Sequence, residues 1–466
     1  MLQKCLVRPN VKAVPGVEQV TPLDQYMVRV ILPMMCVFKV GSTDDRPTIL
    51  HDLKTGLALT IDEIRFLAAD IIPENEDSDF IQLEYKDEDT GVWFYWQELP
   101  DIDFDALAKR NFAFSTLPAA KFVPQPRGHS ERSPVLMVLV SFIQGGAIVT
   151  FNGHHAVMDA QGLGTFAQTW AKNVAATSEG RDLAREERLS EETLDGSSTF
   201  AAMSNRALIS FPTYDIAETR SHEEAQAKIM ATAISGDHEG LAKMVQLSHW
   251  HVQQESLDLL RDSVQEEFPA GPVVTQNALV SALIWRHVTK ARGLVSRGVS
   301  TSSLLTSVNV RQRMDPPLAI EYPGNAIVLA RATATASDLE TESPLYDLAR
   351  KIGDAIEWWD ATNIHDQIGS IESCTQVGNA MVPPLDHDMI VTSPSRLGDV
   401  LGQANWSPAL GKIQALRFAF PAFADGFVAT LPAVQGGIDI MIWIRPETTS
   451  RLQKDEAWLK WVKLME

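Results

Sequence analysis

Cysteine is scarce: only Cys5, Cys36 and Cys374 occur in 466 residues, and no two are closely spaced. That excludes a disulfide-stapled scaffold and a cysteine-ligated zinc site. No apolar run approaches the roughly 18 residues needed to cross a bilayer, so no membrane span is expected. The start of the chain, MLQKCLVRPNVKAVPG, lacks the apolar core of a signal peptide, and a reducing cytoplasmic setting is expected. There is no long cluster of Lys and Arg to offset a formal net charge of −20. Such a surface repels nucleic acid and anionic lipid, so neither is an expected partner. There is no Gly-x-Ser-x-Gly elbow, no phosphate-binding loop, no GxGxxG after a strand and no His-Glu-x-x-His, and no metal is expected.

At this length two domains are expected, and 45% hydrophobic with 21% charged residues is a globular composition. Strand-like and helix-like stretches mix without a regular βαβ alternation, which predicts an α/β class (mixed α and β) with mixed sheets. PVLMVLVSFIQGGAIVTF, residues 134–151, reads as two strands joined by a hairpin at Gln144-Gly145-Gly146. Leu163, Phe166, Trp170 and Val174 then recur at intervals of three and four, which predicts an amphipathic helix. Further helices are expected over 275–293 and 454–465, a strand over 302–310, and a second hairpin over 426–444. Residues 177–200 are charged and Ser-rich, the start of an exposed connection expected over about 177–230.

Between the first hairpin and its helix lies FNGHHAVMDAQG, residues 151–162, with His155 four residues before Asp159. A chain with 11 histidines contains about one such pair by chance, so spacing alone decides nothing. The location is more informative. A strand-to-helix junction holds side chains rigidly at the lip of a sheet. Neutral imidazole at His155 suits a general base near neutral pH. His154, alternating with it, is expected to face away and pack.

Several ordered segments resemble one family, the BAHD-type CoA-dependent acyltransferases. GHHAVMDAQG resembles the family's HxxxD motif, and VTPLDQ (20–25) and ILHDLKTGLALTIDE (49–63) resemble its opening elements. TQNALVSALIWRHVTKAR (275–292), SVNVRQRMDPPLAIEYPGNAI (307–327) and VTSPSRL (391–397) resemble segments of its second half. QANWSPALGKIQALR (403–417) sits where fungal members carry a form of the DFGWG motif, here with Asn405 for the aspartate and Trp406 directly after it. The nearest likeness is to fungal secondary-metabolite acetyltransferases, such as the trichothecene 3-O-acetyltransferases.

The resemblance implies two similar chloramphenicol-acetyltransferase-like domains, each a mixed sheet flanked by helices, with a tunnel between them. The first, residues 1–200, would be completed by a segment near 375–410, and the second would span 201–466. It implies His155 as general base, Asp159 as a loop-holding residue paired with Arg311 or Arg313, and Thr392 as oxyanion support. Asn405 and Trp406 would be structural. Lys412, Gly411, Arg417 and Lys290, with Arg292, are the candidates for contact with an anionic donor. That donor would be acyl-CoA, most simply acetyl-CoA, as co-substrate. The acceptor would be a hydroxyl or amine of a small hydrophobic metabolite. The protein is expected to be a monomer with no tightly bound cofactor. A carrier-protein thioester as donor, and a non-catalytic binding protein of the same fold, are the alternatives.

Overall fold

A computed structural model describes residues 2–41, 45–75, 80–86, 90–124, 132–203, 245–341, 343–373, 387–394, 397, 401–419, 425–433 and 436–465. Cys374 and much of the expected connection over 177–230 lie outside them. The architecture is mixed α/β, built on three sheets. The first has the strand order Gln3–Val7, Val92–Asp103, Leu136–Gln144, Gly146–His154, Ile31–Lys39, Ile413–Phe418. The second runs Ile327–Thr335, Thr301–Asn309, Met389–Thr392, Phe427–Pro432, Ile438–Ile444, Gln246–Val252, Lys463–Leu464. Both mix parallel and antiparallel pairs. A small four-stranded sheet gathers Gly16–Gln19, Ile81–Tyr85, Asp70–Pro73 and Ser133–Pro134.

The central strands are apolar almost without interruption because both faces are covered. Leu136–Gln144 and Gly146–His154 pair antiparallel through a turn at Gly145, whose φ of +71° suits a residue without Cβ. On one face of this sheet lie helices Arg46–Glu63 and Ala160–Ser178. These two helices touch at Gly56, where a Cβ would meet the Val174 backbone nitrogen at 2.8 Å, and Trp170 Nε1 donates to the Leu53 carbonyl at 3.0 Å. In the second sheet, Phe427, Ala429, Leu431, Met441 and Trp443 join the core of the first half, while Val428, Ile440, Ile442 and Ile444 face helix Gln276–Arg292 and a separate core. This period-two split makes one face of the second sheet a wall between the halves.

The strand returning to the first sheet is Ile413–Phe418, antiparallel to Ile31–Lys39, and from the segment expected near 375–410 the side chains of Leu397, Leu401, Ala404, Trp406 and Leu410 join the core of the first half. One feature differs from the sequence reading. The helix expected over 454–465 is confined to Glu456–Leu459. Trp458 packs against Trp250, and the chain then straightens so that Lys463 and Leu464 pair with His251 and Trp250.

Candidate active site

Strand Gly146–His154 ends where His154 and His155 face different surroundings. The His154 N–H donates to Val135 O at 2.9 Å, and its ring Nδ1 accepts the Ala156 N–H at 3.2 Å. Burial, reinforced by the positive charge of Arg29 and by the neighbouring His155, pushes the His154 pKa down to about 3, so this ring is a neutral structural prop. His155 is half-buried, and its N–H donates to Val30 O at 2.8 Å. Burial also lowers the His155 pKa, against the opposing pull of its own carbonyl and of Asp159. An uncharged imidazole at neutral pH is the form that can take a proton.

Asp159 caps helix Ala160–Ser178. Its Oδ1 accepts the Gly162 N–H at 2.8 Å and Arg311 Nη2 at 2.9 Å. Its Oδ2 accepts Arg311 Nη1 at 2.9 Å and the Ala326 N–H at 2.9 Å. The ion pair is buried, with exposures of 0% for Arg311 and 1% for Asp159. Arg311 also donates to the carbonyls of Tyr322 and Gly324, so its fork ties together the motif loop and the YPGN turn. Arg313 lies elsewhere and donates to the carbonyls of Ile356 and Trp359. Of the two arginines offered by the sequence, Arg311 is the one that meets Asp159.

Two residues not singled out by the sequence complete this junction. Asp24, in the PLDQ element, accepts both the backbone N–H and the side-chain Nδ2 of Asn325 on its Oδ1, at 3.1 and 2.8 Å. Asn325 Nδ2 also donates to the His155 carbonyl at 2.9 Å. Residues separated by 301 positions in the chain thus clamp the backbone of His155. Gly162 makes the closure possible: a Cβ there would lie 2.0 Å from the Pro323 carbonyl oxygen.

The other expected residues scatter. Thr392 ends the parallel strand Met389–Thr392 in the second sheet, its Oγ1 3.5 Å from Ser307 Oγ. Asn405 is exposed, whereas Trp406 is buried edge-on against Phe38 and Trp170 at 5.5 and 5.2 Å. Gly411, at φ +70°, and Lys412 form an exposed turn before strand Ile413–Phe418. Arg417 is not placed to meet a solvent-borne anion. It is 1% exposed, donates to the carbonyls of Asn111, Phe112 and Leu416, and pairs with Asp439 at 3.2 Å. Burial pushes the Asp439 pKa up, but bonds from His249 and His251 and the Arg417 charge outweigh it and hold the carboxylate well below its usual range. Arg292 is likewise buried, against Asp388 O and Asp425. Lys290 is half-exposed but engaged with Asp455 at 3.4 Å. The expected donor-side cluster is therefore not assembled from Arg417 and Arg292, whose charges are consumed internally.

Among the described residues, no group of three or more His, Cys, Asp or Glu side chains is placed to hold a metal ion, and no helix is long and apolar enough to cross a membrane. The chain is 24% identical to acyltransferase easC of Emericella nidulans over 99% of its length and 98% of that protein. It is 25% identical to acyltransferase BOA11 of Botryotinia fuckeliana, covering 96% of this chain and 97% of the other. The fold superposes on TRI101 of F. sporotrichioides, solved with coenzyme A and T-2, with a TM-score of 0.76 at 18% identity, covering 97% and 100% of the two chains. The model of the Transferase family matches residues 3–457, nearly the whole chain, and with full-length relatives that are acyltransferases this shows that the chain belongs to the Transferase family of BAHD-type acyltransferases.

Proposed function

We propose that the protein transfers an acyl group, acetyl in the simplest case, from acyl-CoA to a hydroxyl or amine of a small hydrophobic metabolite. The observation that carries this reading is His155 itself: an uncharged imidazole fixed on a strand-to-helix turn by the buried Asp159–Arg311 pair. The complex of TRI101 with coenzyme A and T-2 supports a CoA donor and a compact acceptor. In this reading the two halves, 1–200 and 201–466, flank a tunnel with His155 midway along it.

His155 takes the proton of the acceptor as the acceptor oxygen or nitrogen attacks the thioester carbonyl. A tetrahedral oxyanion forms, and Thr392, on the second sheet, supplies a hydroxyl donor to it. The C–S bond then breaks, and the departing thiolate takes the proton back from the imidazolium. No acyl-enzyme forms. Asp159 holds the turn, and its oxygens are committed to Arg311, Gly162 and Ala326. Lys412 and the Gly411 backbone stand at the donor end, where an exposed cation on an otherwise strongly acidic chain attracts the phosphates of CoA. The protein acts as a cytoplasmic monomer. The test is thiol release from acetyl-CoA across a panel of hydroxylated and amino metabolites, with an acyl-loaded carrier protein as a parallel donor. Transfer from the carrier protein alone overturns the CoA assignment, and release from neither donor overturns the enzymatic reading.

A further inference from the structure

Two buried polar atoms beside the proposed base, His155 Nδ1 and Asn325 Oδ1, have no well-formed hydrogen bond among the described residues. One is a ring nitrogen that can carry a proton, and the other is an amide oxygen that can accept it. The orientation of the Asn325 amide is dictated by its surroundings. Its Nδ2 lies between two acceptors, Asp24 Oδ1 at 2.8 Å and the His155 carbonyl at 2.9 Å, and only an NH₂ group satisfies both. The Oδ1 is thereby left without a hydrogen-bond partner among the described residues, on a side chain that acts on the His155 ring. Asn325 is 0% exposed, so that oxygen is shut off from bulk solvent.

Resting on the proposed role of His155 as base, we propose that Asn325 is a positioning residue for the imidazole: its Oδ1 accepts the Nδ1 proton and so leaves the reactive lone pair on Nε2. Asp24 acts one step further out by holding the amide the right way round. The tautomer of a histidine base is set by the bond its other nitrogen makes, and a base presenting the wrong nitrogen is ineffective. The charge pattern around the ring agrees. The Asn325 side chain and the Met158 and His155 carbonyls each favour a proton on the ring, while burial opposes the charge. The charged and titratable groups facing this cluster are Asp159, which attracts the imidazolium, His154 beside it, Arg29 acting on His154, and Asp24, Arg311 and Tyr322 behind Asn325.

The experiment uses the full chain labelled with ¹⁵N-histidine, with the His155 resonances identified by their loss in His155→Gln. The unmodified protein should show Nδ1 protonated and Nε2 bare. Asn325→Ala should move the ring toward the Nε2-protonated form. It should lower kcat about tenfold or more with both apparent KM values within about twofold, and shift the acid limb of the rate profile to lower pH, because an acceptor that favours the imidazolium is gone. Asn325→Ser, which leaves a small polar group beside Asp24, serves if the alanine variant does not fold. An Nε2-protonated ring in the unmodified chain overturns the proposal without any variant. So does an Asn325 variant whose rate falls with tautomer and acid limb unchanged. The tautomer is read without substrate, so failure to find acyl transfer would count against the proposed reaction and leave this test standing.

Discussion

Asp159→Asn keeps the shape of the side chain and removes its charge. The native carboxylate accepts four hydrogen bonds, two from Arg311 and one each from the Gly162 and Ala326 N–H groups. An amide offers one acceptor and one donor. Whichever way it turns, its NH₂ meets two donors, one from Arg311 and one from the backbone. Arg311, 0% exposed, is left with an uncompensated buried charge. Breaking a buried pair from one side costs about 3–5 kcal/mol. With a urea slope near 3 kcal/mol per molar, at the upper end of the usual range for so long a chain, the unfolding midpoint should fall by roughly 1–1.7 M. Arg311→Met should cost a similar amount from the other side. The double variant Asp159→Asn with Arg311→Met should cost less than the sum of the two, because no buried charge remains unpaired. The assay is urea unfolding followed by fluorescence, with acyl transfer measured on the folded fraction. If Asp159→Asn moves the midpoint by less than about 0.3 M, near 1 kcal/mol, yet abolishes transfer, the carboxylate acts in the chemistry and the positional argument fails.

The remaining expectations are as follows. His155→Ala should lower transfer by about 10²–10⁴-fold with an unchanged unfolding midpoint, and retention of more than roughly a tenth of the rate contradicts its role. Gly162→Ala must push against the Pro323 carbonyl, backbone against backbone, and should destabilise by about 1–3 kcal/mol; a normal unfolding curve would show that the contact yields freely. His154 is held neutral with a pKa near 3, against an ordinary value of 6.5, so across that window the unfolded chain binds a proton that the folded chain refuses. Stability contributed there is present above pH 6.5 and lost as pH falls toward 3, and His154→Asn should flatten that loss in urea curves taken along a pH series. Arg417→Met should lower stability while leaving the apparent KM for acyl-CoA unchanged, whereas Lys412→Glu should raise that KM, most at low salt; the opposite pattern would restore Arg417 to the donor site.

Local signals made much of the architecture legible. The hairpin at Gly145 and the helix bearing Leu163, Phe166, Trp170 and Val174 appear as the spacing predicts, because turn chemistry and apolar periodicity act within a few residues. The reading of Arg417 went astray for a different reason. Following Gly411 and Lys412 it looked like a solvated cation, yet strand alternation turns it, with Ala415, toward Phe112 and Phe114 while Leu416 and Phe418 face the main core. At the C-terminus the spacing of Trp458 and Trp461 suited a helix, but pairing with strand Gln246–Val252 overrode the local preference. Asp24 and Asn325 stood inside recognised segments without a role of their own. Their meaning comes from a contact 301 residues apart, which no window of sequence contains.

Three buried polar ties join elements that are distant in the chain: Asp159 to Arg311, Asp24 to Asn325, and Arg417 to Asp439. In each, one partner belongs to or adjoins the first sheet and the other belongs to or adjoins the second sheet. Buried ion pairs add little net stability compared with apolar packing, but leaving one partner alone is costly. Their combined effect is therefore selective: a placement of the two halves that mismatches any of the ties strands a buried polar or charged group. The crossing strand Ile413–Phe418 shows how sharp that selection is. It lies against Ile31–Lys39, with Arg417 opposite Met35. A slip of one residue would turn Arg417 to the opposite face, away from Asp439, and expose Leu416 and Phe418 to the wrong neighbours. The same strand pair leads into Val30, whose carbonyl receives the His155 N–H. The register that satisfies Arg417 is thus continuous with the backbone that fixes His155, and the position of the proposed base depends on how the two halves are locked together.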